Sequence, residues 1–159
     1  MTVNFDDIQQ GRIKFQTKKN ETVTVQAPTT SDGRSWGMEV KAPEGTAKFG
    51  AGADLKIPDW IPSYPSSTPQ GTSSIQGGQG QSGSYQFATK DSPSDVLSFY
   101  DQKLKQAGLK IEAHTTGTLG AASGGMLSAE DADKKRTVVV TVTTAEGGNS
   151  VNVLFQVKK

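Results

Sequence analysis

The chain has 159 residues, 33% apolar and 21% charged, with one histidine and no cysteine. Its 17 basic and 16 acidic side chains leave a net charge of +1, which argues against a strongly basic nucleic-acid binder and against an acidic tail. Without cysteine there are no disulfides, thiolate nucleophiles, iron–sulfur ligands or cysteine zinc sites, and no apolar run is long enough for a membrane-spanning helix.

The segment Met1–Asp7 has neither the basic nor the apolar region of a signal peptide. Two readings follow: a cytoplasmic protein, or a trimmed chain whose export signal has been removed. A composition rich in Ser, Thr, Gly, Gln and Asn favours the second, an extracytoplasmic protein that is periplasmic, secreted or lipid-anchored.

Arg12–Gln16 and Thr22–Gln26 alternate polar and apolar residues with period two, the pattern of strands with one buried face, and Lys18–Glu21 is the polar turn between them. After a turn at Ser31–Gly33, Trp36, Met38 and Val40 alternate with Gly37, Glu39 and Lys41. Pro43–Gly45 is the next turn, and Ala47 and Phe49 continue the alternation. Residues 11–50 thus read as a small meander. Four prolines between Pro58 and Pro69 deny backbone donors and exclude regular helix or a central strand, leaving an extended connector that carries Trp60, Ile61 and Tyr64. Ser66–Ser84 contains only Ser, Thr, Pro, Gln and Gly besides Ile75, and reads as a flexible loop or as two strands joined at Gly77–Gly80. Tyr85, Phe87 and Thr89 give a clearer strand signal.

A helix is predicted over about Pro93–Ala107. Ser92 is a natural N-cap, Pro93 suits the first helical position, and Asp95 stands where a capping box places its acid. Val96, Phe99/Tyr100, Leu104 and Ala107 follow one apolar face, and Gly108 ends the helix with Leu109 folding back on Leu104. Lys110–His114 reads as a strand, followed by a Gly/Ala/Ser stretch around Gly117–Gly125. Thr137–Thr143 and Val151–Val157 form an antiparallel hairpin turning at Ala145–Ser150. The fold expected is α+β: an antiparallel β-sheet with one α-helix packed on one face, preceded by a small all-β N-terminal meander. The domains expected are a β-rich segment 1–56, a Pro-rich connector 57–69 and an α+β domain 70–159.

Trp60-Ile61-Pro62-Ser63-Tyr64-Pro65, then Asp91-Ser92-Pro93-Ser94-Asp95-Val96-Leu97-Ser98-Phe99-Tyr100, and finally Ala107-Gly108 resemble a recurrent domain of uncharacterised bacterial proteins of exported or lipoprotein type. The resemblance covers about residues 57–157. It implies a fold and brings no activity or catalytic residue with it, since helix packing and capping explain its Phe-Tyr and Ala-Gly positions.

The chemistry-bearing patterns are sparse. Gly78-Gln79-Gly80-Gln81-Ser82-Gly83 spells G-x-G-x-x-G, but a dinucleotide site needs that motif at the start of a helix, and strand-like residues follow it here. His114 is the single histidine, with no G-x-S-x-G or Ser-x-x-Lys to frame a nucleophile, and it reads as a strand-end side chain in solvent. Glu130, Asp131 and Asp133 lack the calcium-loop pattern and are followed by Lys134, Lys135 and Arg136, so they read as a solvated turn. No catalytic, metal or cofactor residue is singled out. Trp36, Trp60 and Tyr64 are the candidate binding surface, as aromatics able to stack on a glycan or dock a protein; the competing reading is that Trp60 and Tyr64 pin the connector to the sheet.

The function expected is that of a non-enzymatic exported domain, either binding or structural in the cell envelope. Its partner would be a protein or a glycan, with no nucleic acid and no transmembrane segment, and it would be a monomer. The alternatives are a hydrolase with a site assembled from scattered residues, and an assembly subunit pairing through a sheet edge, the C-terminal strand being the first candidate.

Overall fold

A computed structural model of the chain describes residues 12–16, 22–26, 36–51, 57–78, 80–119, 122–145 and 147–159. The turns expected at Lys18–Glu21 and Ser31–Gly33, and the Met1–Asp7 segment, lie outside the described residues. Ten strands and one helix follow in the order β1 (Arg12–Gln16), β2 (Thr22–Gln26), β3 (Trp36–Ala42), β4 (Gly45–Ala51), β5 (Gly71–Gly77), β6 (Gly80–Thr89), α1 (Pro93–Gln106), β7 (Lys110–Leu119), β8 (Ala122–Glu130), β9 (Arg136–Ala145) and β10 (Gly148–Lys158).

All ten strands form one antiparallel-paired sheet, ordered β1-β2-β3-β4-β5-β6-β10-β9-β8-β7. The chain meanders from β1 to β6, then leaves the middle of the sheet. It passes over one face as α1 and enters β7 at the far edge, parallel to β6 with β10, β9 and β8 between them. A second meander brings it back, so that β10 closes against β6 along ten residue pairs from Asn149↔Thr89 to Lys158↔Gly80.

The expected α+β arrangement, a separate small meander followed by a helix-covered sheet, is corrected here. The protein is mostly β, and the N-terminal strands belong to the same continuous sheet as the rest. The link is the low-complexity tract. Gly71–Gly77 pairs with β4 through Gly45↔Gly77 to Gly50↔Thr72, and with β6 through Gly71↔Gln86 to Gly77↔Gly80. Small side chains such as Ser73, Ser74 and Ser84 carry little apolar signal, yet their backbone groups complete two ladders. The C-terminal strand is central, and the edges are β1 and β7.

The helix forms for the expected reasons. Ser92 Oγ accepts from Asp95 N at 3.2 Å and donates to Asp95 Oδ2 at 2.7 Å. At the other end Gly108, at φ +82°, lets Leu109 N donate to Leu104 O (2.9 Å) and Gly108 N to Lys105 O (3.1 Å), the paired bonds of a Schellman motif. Val96, Leu97, Tyr100 and Leu104 are buried, so Leu97 widens the apolar stripe beyond the expected spacing. They pack on Leu127, Ala129, Val138, Val140, Val142, Val151 and Val153 in one core. Among the described residues no helix is long and apolar enough to cross a membrane.

Candidate binding cleft

Where α1 does not reach, the connector takes over the same face of the sheet. Ile61 is buried, and Trp60 is half-buried with its ring edge-on to Phe155 (centroids 6.4 Å, 89°). The Arg136 guanidinium lies 5.6 Å over the Trp60 ring and is itself held by Asp131 Oδ2 at 2.9 Å. Phe155 in turn needs Gly83 opposite it: a Cβ at that position would stand 2.5 Å from Phe155 Cζ and 2.5 Å from Ser73 O. The glycines of the G-x-G-x-x-G pattern are thus used by the β5–β6 hairpin and by packing, with a strand following them; Gln79 lies outside the described residues.

Tyr64 is a core residue. Its ring stacks on Phe87 (5.3 Å, 19°) and meets Phe99 edge-on (5.0 Å, 76°), and its hydroxyl donates to Asp91 Oδ2 at 2.6 Å. Tyr85 and Tyr100 share a hydrogen bond of 3.0 Å between their hydroxyls, 0–2% exposed, and Tyr85 also donates to Pro62 O at 3.3 Å. Burial, with the Asp91 carboxylate beside it, pushes the Tyr64 hydroxyl up to about 12. Burial pushes Tyr85 up to about 12 and raises Tyr100 well above the ordinary tyrosine value. These rings fill the seam between α1, the connector and the sheet. Of the three residues expected to form a binding surface, Trp60 and Tyr64 both lie on the helix side of the sheet. Trp36 is placed only through its backbone, in β3 opposite Ala51.

Just beyond Tyr64 the chain reverses. Ser67 N donates to Tyr64 O at 3.3 Å, Pro65 occupies the first central turn position, and Ser66 has φ +56°. That is the left-handed residue a type II turn requires, filled here without glycine. Gln70 N then donates to Gln86 O at 2.7 Å, one residue ahead of β5. On the far side the β9–β10 turn presents Gly147 (φ +93°) and Gly148 (φ +154°), and a Cβ on Gly148 would lie 2.9 Å from Thr89 O.

Between these two turns lies an open cleft of about 780 Å³, with Gln86, Thr89, Lys90, Asp91, Asn149 and Ser150 along its floor and walls. Asp91 is its hub. Its amide donates to Thr89 Oγ1 (3.2 Å), its carboxylate receives Tyr64, and its carbonyl receives Asn149 Nδ2 (2.7 Å). Gln86 Nε2 donates to Ser150 Oγ at 2.9 Å. Asn149 is 8% exposed, and its Oδ1 is the buried side-chain polar atom that no group among the described residues satisfies. Leaving such an acceptor unpaired costs about 1–3 kcal/mol. Sequence reading passed over this site because its residues are common polar types scattered over three segments.

Elsewhere the candidate chemistry stays dispersed. His114, exposed on β7, has Nδ1 3.7 Å from Asp101 Oδ1, beyond hydrogen-bond reach. Among the described residues no serine hydroxyl bonds to it. The Asp131 carboxylate is used up within its own turn, accepting from the amides of Lys135 (2.7 Å) and Arg136 (3.0 Å); the Arg136 amide and side chain hold its pKa below the ordinary value. Among the described residues no group of acids and histidine is placed to hold a metal ion.

Residues 67–156 match the model of one protein family, described as START domain-like. No curated protein and no solved structure matches the chain. The matched span begins after the Trp60–Pro65 motif and includes the second strand meander, the helix and every strand that contacts it.

Proposed function

The chain belongs to the START domain-like family, and from that premise we propose that it is a non-enzymatic binding domain whose ligand occupies the cleft around Asp91 and Asn149. The supporting observation is the buried, unpartnered Oδ1 of Asn149, a residue of a cleft whose other lining is mostly polar and includes the oppositely charged Lys90 and Asp91. A neutral ligand rich in hydroxyl or amide donors, such as a glycan, suits that lining: it supplies donors without bringing an unpaired charge. The aromatic seam between helix and sheet argues against a ligand there, since Phe87 and Tyr100 would have to leave a packed core.

The test is nuclear magnetic resonance titration with a panel of neutral oligosaccharides. Shifts are expected to cluster on Gln86, Thr89, Asp91 and Ser150, and to be lost in Gln86→Ala. Shifts confined to the helix–sheet seam, or turnover of the sugar that disappears in His114→Ala, would sink the reading. An extracytoplasmic location belongs to the same proposal and rests on composition. An export signal encoded upstream of Met1 supports it, and an unprocessed protein found only in the cytoplasmic fraction counts against it.

A further inference from the structure

Strands β3 and β4 turn their apolar residues to the opposite face of the sheet from the strands that pack on the helix. On β6, β10, β9 and β8 the apolar residues point to the helix side. Following the register outward, Val153↔Tyr85 and Tyr85↔Thr72 stay on that side, and so does the row Phe155↔Gly83, Gly83↔Ser74 and Ser74↔Lys48. On β3 and β4 the helix side therefore carries Glu39, Lys41 and Lys48, joined by ion pairs of 3.6 and 3.7 Å. The apolar partners Val40, Ala47 and Phe49 take the opposite face. An antiparallel sheet with one wet face keeps that face polar by alternation. This one is mostly polar but uncharged, and three large apolar side chains break the pattern: Ile75, Met126 and Leu154, 52%, 41% and 45% exposed, all stand on the side away from the helix.

We propose that this outer face is the interface of a homodimer, with two copies packing sheet against sheet. Three observations select a second copy. The outward positions of β5, β6, β10 and β9 carry no charge between the rims: they are Ser73, Ile75, Ser82, Ser84, Gln86, Asn152, Leu154, Gln156, Thr137, Val139 and Thr141. Two identical faces therefore meet without repulsion. The face has its own knobs and hollows. Ile75 and Leu154 rise beside a shallow groove of about 450 Å³ floored by Ser73, Ser82 and Ser84, so a twofold arrangement seats the knobs of each copy in the serine hollow of the other. The size also fits. The seven strands from β3 to β8 in sheet order, at ~4.8 Å per strand and over about five residues of length, offer roughly 570 Å² of projected face per copy. The true accessible area of a surface with protruding side chains is larger, and a specific dimer needs about 600–1,000 Å² per partner. The layers would then stand about 10 Å apart, as in a β-sandwich.

The experiment measures mass by light scattering and sedimentation equilibrium from low micromolar to sub-millimolar protein. The wild type is expected to pass from monomer to dimer. Ile75→Glu/Leu154→Glu, both at exposed positions, is expected to weaken association by about a hundredfold or more while circular dichroism and thermal midpoint show an intact fold. Thr116→Lys, at an exposed position on the helix side of edge strand β7, is expected to leave association unchanged. A wild type that stays monomeric overturns the proposal, leaving another segment or partner to cover the face. So does a dimer that survives the double variant, or one that is lost in Thr116→Lys, which would place the contact at the sheet edge. Ile75 and Leu154 lie outside the cleft, so the double variant tests the dimer separately from the ligand, although Gln86 borders both surfaces.

Discussion

All three tyrosines of the chain sit in one buried group, Tyr64 reaching in from the connector and Tyr85 with Tyr100 at the helix–sheet seam. A tyrosine whose folded pKa is raised contributes stability that is complete below the unfolded value near 10 and is lost as pH rises through the folded value. With Tyr64 and Tyr85 pushed up to about 12, the window of loss is about pH 10 to 12, and for the deeply buried Tyr85 the shift corresponds to roughly 2–3 kcal/mol at most. Tyrosinate absorbance of the native protein is therefore expected to stay flat until the chain unfolds, and Tyr64→Phe is expected to flatten the fall in urea midpoint across that window. A normal titration near pH 10 in folded protein would contradict the burial. Ser66 offers a second test at this scale. Its φ of +56° costs a non-glycine residue about 1 kcal/mol, so Ser66→Gly should raise the unfolding free energy by up to about that amount, as read by urea denaturation. The cleft hub was illegible in the sequence for a related reason: Asp91 and Asn149 acquire meaning only when Thr89↔Asn149 pairing brings together residues 58 positions apart.

At the scale of elements, α1 and the β9–β10 hairpin were readable in type and place, because capping, termination and periodicity reinforce one another there, although the strands extend into the expected turn and Leu97 joins the buried stripe. β5 and β8 were the hard cases. Their sequences, GTSSIQG and ASGGMLSAE, are depleted of the large residues that give a period-two signal. The structure supplies the reason for one depletion. A Cβ on Gly125 would lie 2.5 Å from Leu97 Cδ1 and 2.7 Å from Thr115 O, so β8 is thinned where the helix presses closest. Gly125→Ala should accordingly destabilise by about 1–3 kcal/mol, the usual cost of overpacking, and Gly125→Ala/Leu97→Ala should lose less than the sum of its two single changes. Strict additivity in chemical denaturation would show that the two do not touch.

Over the whole molecule, hydrogen-bonded continuity and buried mass are distributed differently. The sheet runs unbroken through β4 and β5, yet every buried apolar side chain among the described residues lies from Ile61 onward. Period-two patterning marked the N-terminal strands correctly but not which face they share with the rest, because that depends on the register of the serine-rich β5. The N-terminal strands are thus tied to the core by ladders, and their described side chains add no buried apolar residue to it, the condition for local opening below the global unfolding free energy. With the two tryptophans separated as reporters, Trp36 (in a Trp60→Phe variant) should report unfolding at lower urea than Trp60 (in Trp36→Phe) in dilute protein. Coincident curves in dilute protein would mean that the β4–β5 pairing alone makes the two parts one unit.

The central seat of β10 also sets a schedule. On the ribosome, β6 and α1 emerge well before Gly148–Lys158, and β6 has no partner on its inner side until that strand arrives. At synthesis rates of about 5–20 residues per second, the nascent chain holds an open, apolar strand edge carrying Tyr85 and Phe87 for seconds. The serines and glycines of early β6, which weaken the sequence signal, also keep the rest of that waiting edge poor in apolar side chains, and so delay its pairing with a wrong partner.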